Sequence, residues 1–237
     1  LPKDFTGFLT IRSQSGDVYI NKISNYCMVD VTAVSGDFLL AHSTLKRVQA
    51  DLKSGDIVIS NTSANVFHVN GHSGMLDSND VDAKEEISYH TISGNMDLEN
   101  ITTKNFFVDT KSGKIVVNGL TSENIDLVTD TGLMLLNNLT GSGNIKSDMG
   151  KINLSLAEKS KFNLSIQSKV GNISVNVPPA IFFKFKINTK KIGPTDFPLD
   201  AIIYGNDDYD KIEGYVGKED STNLIDISSK VGKVSIK

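Results

Sequence analysis

Glycine recurs in this chain with a period that no local chemistry requires. Gly16, Gly36, Gly55, Gly74, Gly94, Gly113, Gly132, Gly150 and Gly171 are separated by 20, 19, 19, 20, 19, 19, 18 and 21 residues. A spacing this steady over eight intervals marks a repeat architecture and takes precedence over any short motif. Two residues after each glycine stands an apolar side chain, from Val18, Phe38 and Ile57 to Ile173. Four residues after it the pattern continues through Ile20, Leu40, Ile59, Leu98 and onward, broken only by Ser78. Alternation with a period of two over five residues describes a half-buried strand.

Several units carry a further apolar residue seven places after the glycine, at Ile23, Val81, Ile101, Leu120 and Leu139. Asparagine often precedes it, a residue that tolerates unusual backbone angles in turns. A second alternating run follows, as in Val48-Ala50-Leu52 and Phe106-Val108. Each unit therefore reads strand, turn, strand, turn, and can bury its apolar side chains only by stacking on its neighbours. The expected fold is all-β, a β-solenoid with one coil per 19–20-residue unit. A coil of that length leaves room for two main strands and predicts a flattened cross-section. About ten coils at ~4.8 Å each predict a rod on the order of 45–50 Å long. A leucine-rich repeat would need a helical segment in each unit, and a calcium-binding roll would need glycine pairs every nine residues. A β-sandwich is the alternative, although its turns would fall every ~8–12 residues.

The rhythm stops after Gly171. Residues 189–220 are rich in Pro, Gly and Asp, and then Gly232, Val234 and Ile236 restore the motif. The expected organisation is a single domain: repeat coils over 1–177, an irregular insertion or cap over 178–222, and a strand pair over 223–237 that ends the stack. A cap is expected because an open strand edge invites aggregation.

Few residues announce chemistry. The net charge is −4, and no basic run exceeds Lys190-Lys191, which argues against nucleic acid as a partner. Cys27 is the only cysteine, so an internal disulfide and a thiolate metal site are excluded. Its setting, NYCMVDV, predicts a buried strand position. No stretch approaches the ~18–20 apolar residues of a membrane helix. The opening LPKDFTGF has neither an initiator Met nor a signal-like core, the pattern left when a signal peptide or membrane anchor has been cut away.

His72 and His90 each precede a repeat glycine and would be neighbours on adjacent coils, with Asp77 or Asp80 as the nearest third ligand; a surface or turn role is preferred. Asn206, Asp208 and Asp210 alternate as an EF-hand begins. However, Lys211 stands where glycine is required and Gly217 where glutamate is, leaving weak calcium candidates in a solvated loop. No metal or cofactor is expected. Ser43 and Lys46 match S-x-x-K by chance composition. Asp17, Asp37 and Asp56 would stack in one column at a turn without an acid–base partner, so catalysis is disfavoured.

The repeated SGD-apolar-x-apolar units, closing on IDISSKVGKVSI, resemble the bacterial DUF4097 family over roughly residues 11–237. That resemblance implies a β-solenoid of extracytoplasmic or envelope proteins, often beside a membrane segment and labelled adhesins, and it brings no catalytic residues. The aspartate after the glycine is kept at Asp17, Asp37 and Asp56 but becomes Met75, Asn95, Lys114, Leu133, Lys151 and Asn172 later, which reads as an exposed turn position. The functional expectation is a non-enzymatic surface or secreted binding module with a protein or glycan ligand. A structural or envelope-stress signalling scaffold is the alternative, and a polysaccharide-active β-helix enzyme ranks third.

Overall fold

The computed structural model describes residues 5–24, 26–189, 196–198, 200–205 and 211–237, and no helix occurs among them. Asn206, Asp208 and Asp210 lie outside the described residues. The chain divides into two compact units, Leu1–Val116 and Val117–Lys237. Each is a stack of parallel coils, so the fold is a β-solenoid.

In the first unit, β1 (Phe8–Ser13), β2 (Val18–Asn21), β3 (Met28–Ala33), β4 (Phe38–Ala41) and β5 (Arg47–Leu52) are short. The following coils run as β6 (Ile57–Ser73), β7 (Leu76–Ser93) and β8 (Met96–Ser112). Val18 registers with Phe38, Phe38 with Ile57, Ile57 with Leu76, and Leu76 with Met96. All five are buried, so the column read from the sequence is a continuous apolar seam. Equal coil length keeps that seam in register. Cys27 is fully buried just before β3, and burial pushes its thiol pKa up.

The coils differ from the expected flattened section. In β7, residues 76–79, 81–83 and 86–91 pair with β8 as three runs rather than two. Asp80 interrupts the first boundary in the left-handed region, with φ 54°, and a register shift between Ala83 and Glu86 marks the second. The same place, six residues after the glycine, is left-handed at Lys22, His42, Asn61 and Asn100 as well. One such residue redirects an otherwise extended chain, which is why Asn and Asp gather there.

Glycine is required at the remaining corner for two reasons at once. Gly55 has φ 128°, and a Cβ there would overlap the carbonyl of Gly36. The same clash recurs from Gly36 to Gly113, each against the glycine one coil earlier. Gly16, in the first coil, has φ 112° but open space where a Cβ would go.

The exception at Ser78 has a physical cause. Its hydroxyl lies 2.9 Å from the hydroxyl of Tyr89, and both residues are buried. Tyr89 occupies a column held by Val69 and Val108 in the adjoining coils. A large ring there leaves no room for a leucine across the core, and the small serine supplies the hydrogen-bond partner a buried phenol needs.

The second unit contains the rest of β9 (Ile115–Thr131), then β10 (Met134–Met149), β11 (Ile152–Leu156), β12 (Asn163–Val170) and β13 (Ile173–Asn176). Beyond them come β14 (Phe183–Thr189), β15 (Ala201–Gly205), β16 (Lys211–Val216), β17 (Leu224–Val231) and β18 (Val234–Ile236). The strand pair β17–β18 does not end the stack, contrary to the sequence expectation. β17 pairs in parallel with β12 on one side and with β14 on the other. Leu164, Ile225 and Phe185 therefore share a register level, as do Ile166, Ile227 and Ile187. β14 is the covering layer, and antiparallel β16 and β15 extend it. The edge of β14 needs a partner, and β17 of the final coil provides one while restoring Gly232 above Gly171. The apolar face of β14 (Phe183, Phe185, Ile187) is buried, with Phe183 against Phe162 and Phe185 against Phe197.

Gly55→Ala is expected to destabilise the protein by about 4 kcal/mol or more, because backbone must move as well as strain. Gly16→Ala should cost only the strained φ, roughly 1–3 kcal/mol. Urea unfolding of the two variants tests this, and equal losses would rule out the stacking explanation. Ser78→Ala should cost about 1–3 kcal/mol by orphaning the Tyr89 hydroxyl. Burial raises the Tyr89 pKa above its ordinary 10.0. The unfolded state then ionises first, so stability is full below pH 10 and falls as pH rises past it. Tyr89→Phe should flatten that alkaline loss in unfolding curves measured against pH.

Candidate functional site

The SGD motif is a stacking device rather than a site. Asp17 Oδ1 accepts the backbone N–H of Asp37 at 2.9 Å, and Asp37 Oδ1 accepts that of Asp56 at 2.8 Å. Asp56 Oδ1 in turn accepts the N–H of Met75 at 2.7 Å. Asparagine does the same where it replaces aspartate: Asn95 accepts from Lys114, and Asn172 from Lys233 across 61 positions of sequence. Each side chain therefore bonds the turn of the next coil, which sharpens the sequence reading of an exposed turn residue. Ser43 is also committed, since its buried hydroxyl donates to Ala41 and accepts from Ile23.

The long runs of the first unit present a polar face whose side chains are tied across coils. An Arg47 guanidinium nitrogen lies 3.1 Å from His68 Nδ1, and His68 Nε2 lies 2.8 Å from Glu86. Guanidinium only donates, so Nδ1 accepts and Nε2–H donates to the carboxylate, which fixes the tautomer. Beside this, Asp51 accepts from both Gln49 and Asn70, and His90 bonds Asp109 at 3.0 Å. The pairing expected between His72 and His90 does not occur: His90 registers with Asn70 and Asp109, because His72 falls two residues nearer its glycine. No group of three or more His, Cys, Asp or Glu able to hold a metal exists among the described residues.

The second unit has a shallow, largely open cavity of about 410 Å³ beside its covering layer. Lys159, Ser160, Phe182, Lys218, Asp220 and Asn223 are among its lining residues. The Phe182 ring is partly exposed, while Phe183 next to it is buried. Its carbonyl accepts from Ser221 Oγ at 2.7 Å and Asn223 Nδ2 at 3.0 Å, and Asn223 Oδ1 accepts the N–H of Phe162. Lys218 Nζ stands 5.9 Å from the ring centroid. Sequence reasoning missed this site. Its available signal was the Phe182-Phe183 pair, where strand alternation must turn one ring outward.

A stack of parallel coils closed by an antiparallel cap defines a β-solenoid repeat protein. The chain matches the family model described as Toastrack DUF4097 over residues 1–88 and 61–237, and it belongs to that family. No curated protein and no solved structure matches it.

Asp37→Ala should cost about 0.5–1.5 kcal/mol through the lost bond to Asp56, whereas Asp37→Asn, which keeps an acceptor, should be nearly neutral. Thermal unfolding of the pair separates this stacking role from a ligand-binding one, which would be sensitive to charge.

Proposed function

We propose that this protein is a non-enzymatic binding module of a bacterial cell surface or envelope, taking a protein or glycan ligand on the polar face of its coils. The observation that carries this reading is the cross-coil network through Arg47, His68 and Glu86, with Asp51–Asn70 and His90–Asp109 beside it. Side chains already held in one geometry lose little freedom on binding, so a ligand meets a preorganised surface. The aspartate column is bonded to backbone, and the Ser43 hydroxyl is buried and engaged, so neither is poised as nucleophile or acid–base pair. A scaffold that grows end to end is disfavoured at the C-terminal side, where β14 to β16 cover the last coil.

The test is an array of extracellular glycans and matrix proteins probed with the protein and with Arg47→Ala/Glu86→Ala. Saturable binding that the double variant weakens by ~10-fold or more is the expected result, given about 1.5–3 kcal/mol per charged hydrogen bond. Fractionation of cells expressing the full-length gene is the companion measurement. A product confined to the cytosol would overturn the location, and an array without ligands would overturn the binding role.

A further inference from the structure

We infer that the cavity beside the covering layer is a second binding site, independent of the polar face, that takes a saccharide bearing a carboxylate. The ring of Phe182 is the first argument. An exposed aromatic ring is ordinarily free to move, but this one is seated against the backbone of Gly217, where any Cβ would strike it. Gly217 has φ 77°, a conformation that itself favours glycine. Two side-chain donors, Ser221 and Asn223, lock the Phe182 carbonyl, and Asn223 is anchored in turn by Phe162. The fold thus holds the Phe182 backbone by these bonds, while the ring itself lies between Gly217 and the Lys218 ammonium, 5.9 Å from its centroid. The exposed part of that ring is a surface the C–H side of a sugar can pack on, beside the Lys218 ammonium.

The second argument is the charge and hydrogen-bonding set around it. Lys159 and Lys218 both line the cavity. Lys159 is left-handed with φ 63° and lies nine residues after Gly150, so it is not one of the regular corners six residues after a glycine. That conformation belongs to the turn at residues 158–159, which the Ser160 N–H closes on the Ala157 carbonyl and which carries Lys159 to the rim of the depression. Two ammonium groups suit a carboxylate, while Asp220, Thr222 and Asn223 offer acceptors and donors for sugar hydroxyls. The acidic excess of the chain lies in residues 1–116, with 14 Asp and Glu against 10 Lys and Arg, whereas residues 117–237 carry 14 of each. An anion approaching this unit therefore meets no net repulsion from it. The depression, about 410 Å³, is largely open to solvent, so a short saccharide would lie along it rather than be enclosed.

Calorimetric titration of the intact protein with three acidic probes tests the assignment: tetragalacturonate, a hyaluronan tetrasaccharide and sialyllactose. The fully methyl-esterified form of any probe that binds serves as its neutral isostere. Saturable binding of at least one probe is expected, weakened about 10-fold or more by Lys159→Ala/Lys218→Ala and by esterification. Phe182→Leu should weaken it too, with thermal unfolding unchanged in the lysine variant. Failure of all three probes, or affinity unchanged in the lysine variant, overturns the site. Acetate competing as well as the sugar overturns the saccharide assignment in favour of a bare carboxylate. Arg47→Ala/Glu86→Ala should leave this binding intact, so loss here and loss on the polar face are separate results.

Discussion

The structure rests on backbone touching backbone at one corner of each coil. Where a side chain would begin on Gly36, Gly55 or Gly74, the carbonyl of the preceding coil's glycine already stands. That approach lets the following strand lie flat on its neighbour and pair along its length. It also makes the period compulsory, because a coil that is too long or too short puts a substituted residue at the contact. The aspartate ladder follows from the same proximity: only because the turns lie so close can Asp37 reach the backbone N–H of Asp56. Apolar seams, corner asparagines and cross-coil polar pairs are all organised around this spacing.

Much of the fold is legible in the sequence because a repeat states the same constraint many times. Val18, Phe38, Ile57 and Leu76 occupy the seam that alternation predicts. The third run of each coil was harder to see, since the residue that creates it, such as Asp80, differs from its neighbours only in the sign of φ. The partnership of Ser78 with Tyr89 was illegible for another reason. Each is a local exception, but they occupy different columns and meet only across the core.

The cavity escaped sequence reading because nothing repeats there. Phe162, Phe182 and the pair Lys218 and Asn223 come from three separate segments, and their meeting depends on β17 entering between β12 and β14. The insertion itself was hidden because the final motif looks like any other coil. Its rank in the stack is set by what β14 needs to cover, which the motif does not encode.

That inserted strand has a consequence for how the second unit comes into being. During synthesis the chain emerges from one end, and the coils of the first unit can be laid down in the order they appear. The second unit departs from that order, because β14 is made before the layer it must rest on. A nascent chain that has reached residue 223 holds two strand edges, of β12 and β14, without the strand that pairs with both. Closure of this unit therefore waits on the ribosome delivering β17 (Leu224–Val231), and a chain stopped before it would leave β12 and β14 unjoined.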